Sequence, residues 1–237
     1  MLPRNDYSNY PDSQSEDNSQ GIKDPYVNER GLLITKLPFE FEDKESLRAE
    51  EKRIIEPLIT AEAIYEDYAV DNCIQLLCTM HRRFFRTIFT WAGEFRTINI
   101  DKEEKFFCPG CTLQYGEYSE IYSELAKVFW DMSKTKWDSI SEGKRVKTFA
   151  DFLARIWIIH PFRDGNTRAI IGFAKAYAIL HNFKFDVNPL VKILSRPILK
   201  DGREGLSIRD CFVGATLPEY PEPEYLYKAF KRAMTWL

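Results

Sequence analysis

Between two segments of helical apolar spacing this chain carries His160-Pro161-Phe162-Arg163-Asp164-Gly165-Asn166-Thr167-Arg168, and these residues constrain the fold more than any other stretch. Upstream, Phe149, Phe152, Leu153, Ile156 and Trp157 recur at steps of three and four, which predicts a helix buried along one face. Pro161 ends it, because the residue before a proline is pushed out of the α region, and His160 is expected at the helix's C-terminal lip. Downstream, Ile170, Phe173, Ala174, Tyr177 and Leu180 mark a second buried helix, closed by His181-Asn182. Gly165 and Asn166 then stand where the second helix begins, with unpaired N–H groups and the positive end of the helix dipole facing the loop. Phosphate suits such a place. Arg168 adds a forked cation, Asp164 is a hard oxygen ligand for Mg²⁺, and His160 is placed to take a proton near neutral pH. A plain helix-helix turn would need one or two of these residues, not Asp164, Asn166 and Arg168 crowded beside His160.

The other features bound the class. A chain of 237 residues with 44% hydrophobic content, 17 Phe and 12 Tyr can bury a substantial core. Its net charge of −3 gives no general reason to expect nucleic-acid binding, and helix-turn-helix, zinc-finger and RNP-like patterns are absent, as are GxxxxGK[ST] and GxGxxG. No run approaches the ~18 apolar residues that span a bilayer, and no basic segment followed by an apolar stretch opens the chain. A cytoplasmic location is the expectation, and export as an effector by a route that reads no cleavable signal is compatible with it. Five cysteines, an odd number, argue against a disulfide framework and read as thiols, with Cys108-Pro109-Gly110-Cys111 taken as a turn at a hairpin tip.

Residues 1–24 are polar and read as a disordered leader, 25–70 as a helical extension, 71–190 as the core, and 191–237 as a helical segment packed on it. From Glu40 to Arg53 charges of both signs alternate, which predicts a solvent-exposed helix that Pro57 breaks or restarts. Thr60 to Tyr68 and Asp71 to Phe89 are expected to be helical, with His81 at the core's edge. Phe95-Arg-Thr-Ile-Asn-Ile100 alternates with period two and, with the residues up to Gly110, predicts a short hairpin. Helical spacing resumes over Tyr118–Met132 and Lys147–Ile159, with Trp137–Arg145 as a loop. After Asn188 the expectations are a helical turn at Leu190–Leu194, loops at 201–205 and a final helix over Glu222–Leu237. Arg82, Arg83, Arg86 and Arg96 form a basic cluster in sequence, either a solvated face or an attraction for phosphates or an acidic target. The fold class is therefore mostly α with one protruding hairpin.

The central residues resemble the Fic family (filamentation induced by cAMP), whose pattern is His-Pro-Phe-x-Asp/Glu-Gly-Asn-x-Arg-x-x-Arg. This chain matches it through Arg168; Thr167 stands where Gly or Lys is usual, and Ile171 where a second arginine is expected. A second block, Phe89-Thr-Trp-Ala-Gly-Glu-Phe-Arg-Thr-Ile-Asn-Ile100, is similar to the segment leading into that family's target-positioning flap. The resemblance covers about Ile54 to Asn188 and extends loosely to Leu237. It implies a Fic-type helical domain with a β-hairpin flap, and a protein AMP-transferase that moves AMP from MgATP to a Tyr, Thr or Ser hydroxyl of a target protein. His160 is then the general base and Asp164 the Mg²⁺ ligand. Phe162, Arg163, Asp164, Gly165, Asn166, Thr167 and Arg168 form the ATP and phosphate site, and Ile98, Asn99, Ile100, Phe106 and Phe107 the flap. Alternatives are a degenerate Fic domain that binds a nucleotide or partner without turnover, and a Fic-type transferase of another phosphate-containing group. The resemblance also leaves room for a separate, antitoxin-like inhibitory protein. In relatives with the second arginine it implies capture of that arginine by a glutamate from a Ser/Thr-x-x-x-Glu-Gly/Asn helix. Here the spacing recurs only at Ser46–Glu50, followed by Glu51, and at Thr90–Glu94, and Ile171 cannot accept a charge. A glutamate-arginine switch is thus expected to be absent.

Overall fold

Two buried helices that meet at the central loop organise the molecule: α4 (Glu142–Ile159) ends at His160 and α5 (Asn166–Leu180) begins after Gly165. The computed structural model describes residues 23–38, 40–65, 72–104, 107, 110–181, 183–197, 199 and 205–235. In α5, Ile170, Ile171, Phe173, Ala174 and Ala178 have no exposed surface, while Leu180 at its last turn is 48% exposed, so the predicted stripe stops one turn early. Helix α2 (Cys73–Phe85) lies along α5, and α3 (Ile121–Ser133) lies along α4. The Asn72 side chain accepts the Gln75 N–H to start α2, and Arg82 and Arg83 offset the dipole at its end. The other side of α4 is covered by α7 (Ile208–Thr216) and α8 (Glu224–Ala233), and Trp157 stacks on Phe212 with planes 5° apart.

Several expectations are corrected. Helix α1 (Lys44–Thr60) starts in a capping box between Asp43 and Ser46 and runs through Pro57. Ile55 and Ile59, both fully buried, hold its last turn against the core where proline would otherwise end it. Its face is not simply solvated either: Leu47, Glu51, Ile55 and Ile59 recur at steps of four and are all buried. After α1 only a short 3-10 turn, Glu62–Tyr65, is found in the described part of the predicted Thr60–Tyr68 helix. Helix α4 begins five residues before Lys147, because its exposed first turn carries no apolar periodicity. The segment after Asn188 forms a short helix, α6 (Asn188–Val191), and holds α7, a helix the spacing did not predict, opened by a capping box between Ser207 and Asp210. Helix α8 stops at Ala233, and Met234–Thr235 pair with Lys184–Phe185 as a two-residue antiparallel ladder.

The hairpin is displaced along the chain. Its strands are β1 (Asp101–Glu104) and β2 (Cys111–Gln114), antiparallel, with Asp101 opposite Gln114 and Glu104 opposite Cys111. Phe95–Ile100 forms no ladder; its alternation comes from Arg96 and Ile100 turning into the protein, where they are 2% and 9% exposed. Phe106, Cys108 and Pro109 lie outside the described residues, as do residues 1–22. Cys111 is disulfide-bonded, whereas Cys73, Cys78 and Cys211 are free, so the expectation of thiols throughout is corrected at Cys111. Among the described residues no helix is long and apolar enough to cross a membrane.

Candidate active site

His160 closes α4 in the left-handed conformation, φ 52° and ψ 61°, the one described non-glycine residue with positive φ. Its ring is 4% exposed and lies flat against Tyr115, with centroids 3.7 Å apart, while Trp157 meets it edge-on. Nδ1 sits 3.1 Å from the Trp157 carbonyl. A carbonyl only accepts, so Nδ1 carries the proton and Nε2 keeps its lone pair. Burial, reinforced by the charge of Lys102, holds the imidazole well below its ordinary range, which keeps it neutral at physiological pH.

The loop beyond it is locked by local bonds. The Asn166 amide accepts the Phe162 N–H at 2.9 Å and donates to the Phe162 carbonyl at 2.7 Å. Phe162 is fully buried and stacks on His81, centroids 3.9 Å apart. His81 Nδ1 accepts the Gly93 N–H at 2.8 Å, so Nε2 donates to the Asp164 carbonyl at 3.0 Å. Burial pushes His81 down to about 3, so it stays a neutral strut. Gly165 has φ 78°, and a Cβ there would come within 2.4 Å of the Phe85 ring, so both backbone and space require glycine. No side chain caps α5, which leaves the N–H groups of its first turn facing the loop.

Several residues assigned to phosphate are held by the protein. Phe162 and the Asn166 side chain are inside the loop. Thr167 accepts a bond from Trp157 Nε1 at 3.0 Å, and Arg163 pairs with the buried Asp24 at 2.5 Å. That last contact also corrects the leader, since Asp24 joins the folded body. Arg168 reaches two carboxylates, Glu51 at 2.8 Å and Asp164 at 3.2 Å, over the face of Phe85. Glu51 was hidden in a run of alternating charges; the clue was its place in the four-residue stripe of α1. A glutamate clamp therefore exists, on Arg168, whereas Ile171 is buried in the core. Burial, with Asp164 nearby, pushes Glu51 up to about 7. Asp164 is half-buried, and although that desolvation raises its pKa, Lys102, Arg168 and the Gly165 N–H outweigh it and keep the carboxylate ionised.

Lys102 and Tyr115 are the other residues the sequence did not single out, and both come from the hairpin. Lys102, half-buried on β1, is held below its ordinary value by burial while its charge acts on His160 and Asp164. The predicted flap positions behave differently. Ile100 is buried, and Asn99 braces the root by donating to Glu117 at 2.5 Å and accepting the Tyr118 N–H at 2.9 Å. Phe107 packs beside Tyr225 of α8, centroids 6.1 Å apart. The arginine cluster disperses: Arg82 and Arg83 bond main-chain carbonyls, Arg86 is exposed and Arg96 is buried. Among the described residues no group of three or more His, Cys, Asp or Glu is arranged to hold a metal ion.

The profile of the Fic/DOC family matches residues 71–178. The chain is 33% identical over 116 residues to the probable protein adenylyltransferase y4lH of Sinorhizobium fredii, covering 47% of this chain and 55% of that one. It is 28% identical over 90 residues to the probable protein adenylyltransferase Fic of Salmonella typhimurium, covering 38% and 42%. It thus spans about half the length of the relatives it matches. Among solved structures, the VirB-translocated effector BepC of Bartonella tribocorum, crystallised with AMPPNP, superposes with a TM-score of 0.67 at 16% identity over 90% of this chain and 97% of that one. An effector Fic domain from Bartonella quintana with bound ADP gives 0.65 at 16% identity, over 89% and 94%. The helical body with its antiparallel hairpin is the Fic fold, and residues 71–178, which carry the whole His160–Arg168 loop, belong to the Fic/DOC family.

Proposed function

We propose that this chain transfers AMP from MgATP to a hydroxyl of a Tyr, Thr or Ser side chain on another protein. The observation that carries the reading is the neutral His160 with its proton fixed at Nδ1, set beside a loop of helix N–H groups, Asp164 and Arg168. Nε2 would take the proton of the incoming hydroxyl. The first turn of α5, Arg168 once released from its carboxylates, and Lys102 from the hairpin would offset the charge that gathers as pyrophosphate leaves. Asp164 fits a Mg²⁺ site of the common kind, one ionised carboxylate completed by substrate phosphates rather than an all-protein cage. The ion would neutralise phosphate charge there. The edge of β1 would take the target segment by main-chain pairing, and the names of the matched relatives and the nucleotides bound in the structural neighbours support the same chemistry.

A second reading, nucleotide or partner binding without turnover, is favoured by one observation: Glu51 and Asp164 both occupy Arg168. Incubation of the protein with α-³²P-ATP, Mg²⁺ and a cell lysate separates the two. Label on proteins, lost in His160→Ala, supports transfer. Nucleotide binding with no label from wild type or from Glu51→Gln supports the module. Label from γ-³²P-ATP but not from α-³²P-ATP would point to another transferred group.

A further inference from the structure

Arg96 is 2% exposed, and its donors go to main-chain carbonyls on two separate parts of the fold. Nε donates to the His160 carbonyl at 2.8 Å and Nη2 to that of Ile159 at 3.3 Å, both at the end of α4. Nη1 donates to the Ile98 carbonyl at 2.5 Å and Nη2 also to that of Gly116, at the two roots of the hairpin. The main chain makes the same connection, since the Arg96 N–H bonds the Pro161 carbonyl at 2.9 Å and the Gly116 N–H that of Ile158 at 3.1 Å. Gly116 passes so close that a Cβ there would lie 3.3 Å from the backbone of Ile159.

The chemistry of this knot is specific. Carbonyls at a helix C-terminus lack intrahelical donors and carry the negative end of the dipole, so a buried cation is favoured there. A planar fork with fixed donor directions can serve both the helix end and the hairpin roots; a lysine, a point charge on a flexible stem, cannot. The residue whose carbonyl takes Nε is also the one held in the left-handed conformation, which a non-glycine residue keeps only when its surroundings impose it. That conformation brings the imidazole under Tyr115 and its Nδ1 onto the Trp157 carbonyl.

We propose that Arg96 is a positioning residue for His160: it fixes the left-handed turn that presents Nε2, and it makes that turn depend on the seating of the hairpin roots. The inference rests on the reading of His160 as the base, so its test includes a measurement that needs no turnover. The chain has three histidines, so long-range ¹⁵N–¹H correlations of the imidazoles can be assigned. Wild type should show His160 as a single tautomer protonated at Nδ1. In Arg96→Lys and Arg96→Ala that signature should give way to mixed tautomers. AMP transfer at saturating ATP should fall about 10²-fold while the KM for ATP stays within about twofold. Guanidinium ion added to Arg96→Ala should restore part of both. An unchanged His160 tautomer in the folded variants overturns the proposal. So does loss of folded protein in both, which would make Arg96 a support of the fold rather than of the base. If wild type transfers no AMP while the tautomer shifts in the variants, the positioning role stands and the assignment of the base falls.

Discussion

The His160–Arg168 loop and the hairpin beside it are held in opposite ways. The loop is tied mostly to itself: Asn166 to Phe162, Asp164 to Gly165 and Arg168, His160 to Trp157, all within four residues. The hairpin reaches across the chain, with Arg96 bonded to His160 over 64 residues and Arg209 beside Glu104 over 105. Local bonding shapes the loop from within, and a few distant residues, Arg96, His81, Glu51 and Asp24, fix how it is presented. Distant bonding makes a companion whose seating depends on the rest of the fold, and it carries Tyr115 and Lys102. On the function proposed above, chemistry belongs to the loop and control to what leans on it.

Four substitutions test this division. The largest effect is expected inside the loop at its reacting group: His160→Ala should lower AMP transfer by about 10²-fold or more with ADP affinity nearly unchanged, measured by radiolabel transfer and calorimetry. Wild-type transfer by this variant would remove the loop from the chemistry. Next is Gly165→Ala, which forces a side chain into a backbone of φ 78° and onto the Phe85 ring. About 2–4 kcal/mol of stability should be lost, read as a lower melting temperature, from overpacking and strain together. A small shift would mean the loop is looser than its bonds suggest.

The third substitution acts on a residue that leans on the loop. Glu51→Ala removes the side chain that occupies Arg168 and should tighten ADP binding about tenfold, or ~1.4 kcal/mol, by calorimetry at about pH 5.5, where Glu51 keeps its proton. A pH dependence accompanies it. In the closed site Glu51 holds its proton up to about 7, against 4.5 when free, so its contribution to the closed arrangement is complete below 4.5 and is lost as pH rises through 7. ADP affinity of wild type, relative to Glu51→Ala, should accordingly climb across that window and then level. A flat ratio would show that Glu51 does not leave when nucleotide enters. The smallest effect is expected at the hairpin root. Asn99→Ala loses its bonds to Glu117 and the Tyr118 N–H, costing about 1 kcal/mol of stability, with transfer reduced only a fewfold. A loss of target labelling as deep as that of His160→Ala would return Asn99 to the target-binding edge.

The same division separates what was legible in the sequence. Helical spacing on both sides of His160-Pro161 and the glycine at 165 encode local geometry, so the site loop could be read residue by residue. Which of its side chains are free could not, because Arg163 is taken by Asp24 and Arg168 by Glu51. Neither partner is near in sequence. Period-two alternation over Phe95–Ile100 gave the hairpin's existence but not its strands, since burial of Arg96 and Ile100 against the core produces the same pattern as a ladder. Helix α7 escaped because a nine-residue helix offers few turns of periodicity, and its capping box ends in Asp rather than Glu.

The pair of Arg163 and Asp24 joins positions 139 apart, so the outer wall of the site loop is finished by one of the earliest residues of the folded body meeting one of the later ones. Closing so long a loop is entropically unfavourable and rewards the chain only after the intervening helices have packed. During synthesis Asp24 waits while α1 through α4 emerge. The site loop should therefore be among the last parts to acquire native protection from hydrogen exchange, and a chain stalled before Arg163 would still lack α5, one of the two helices around which the core is organised.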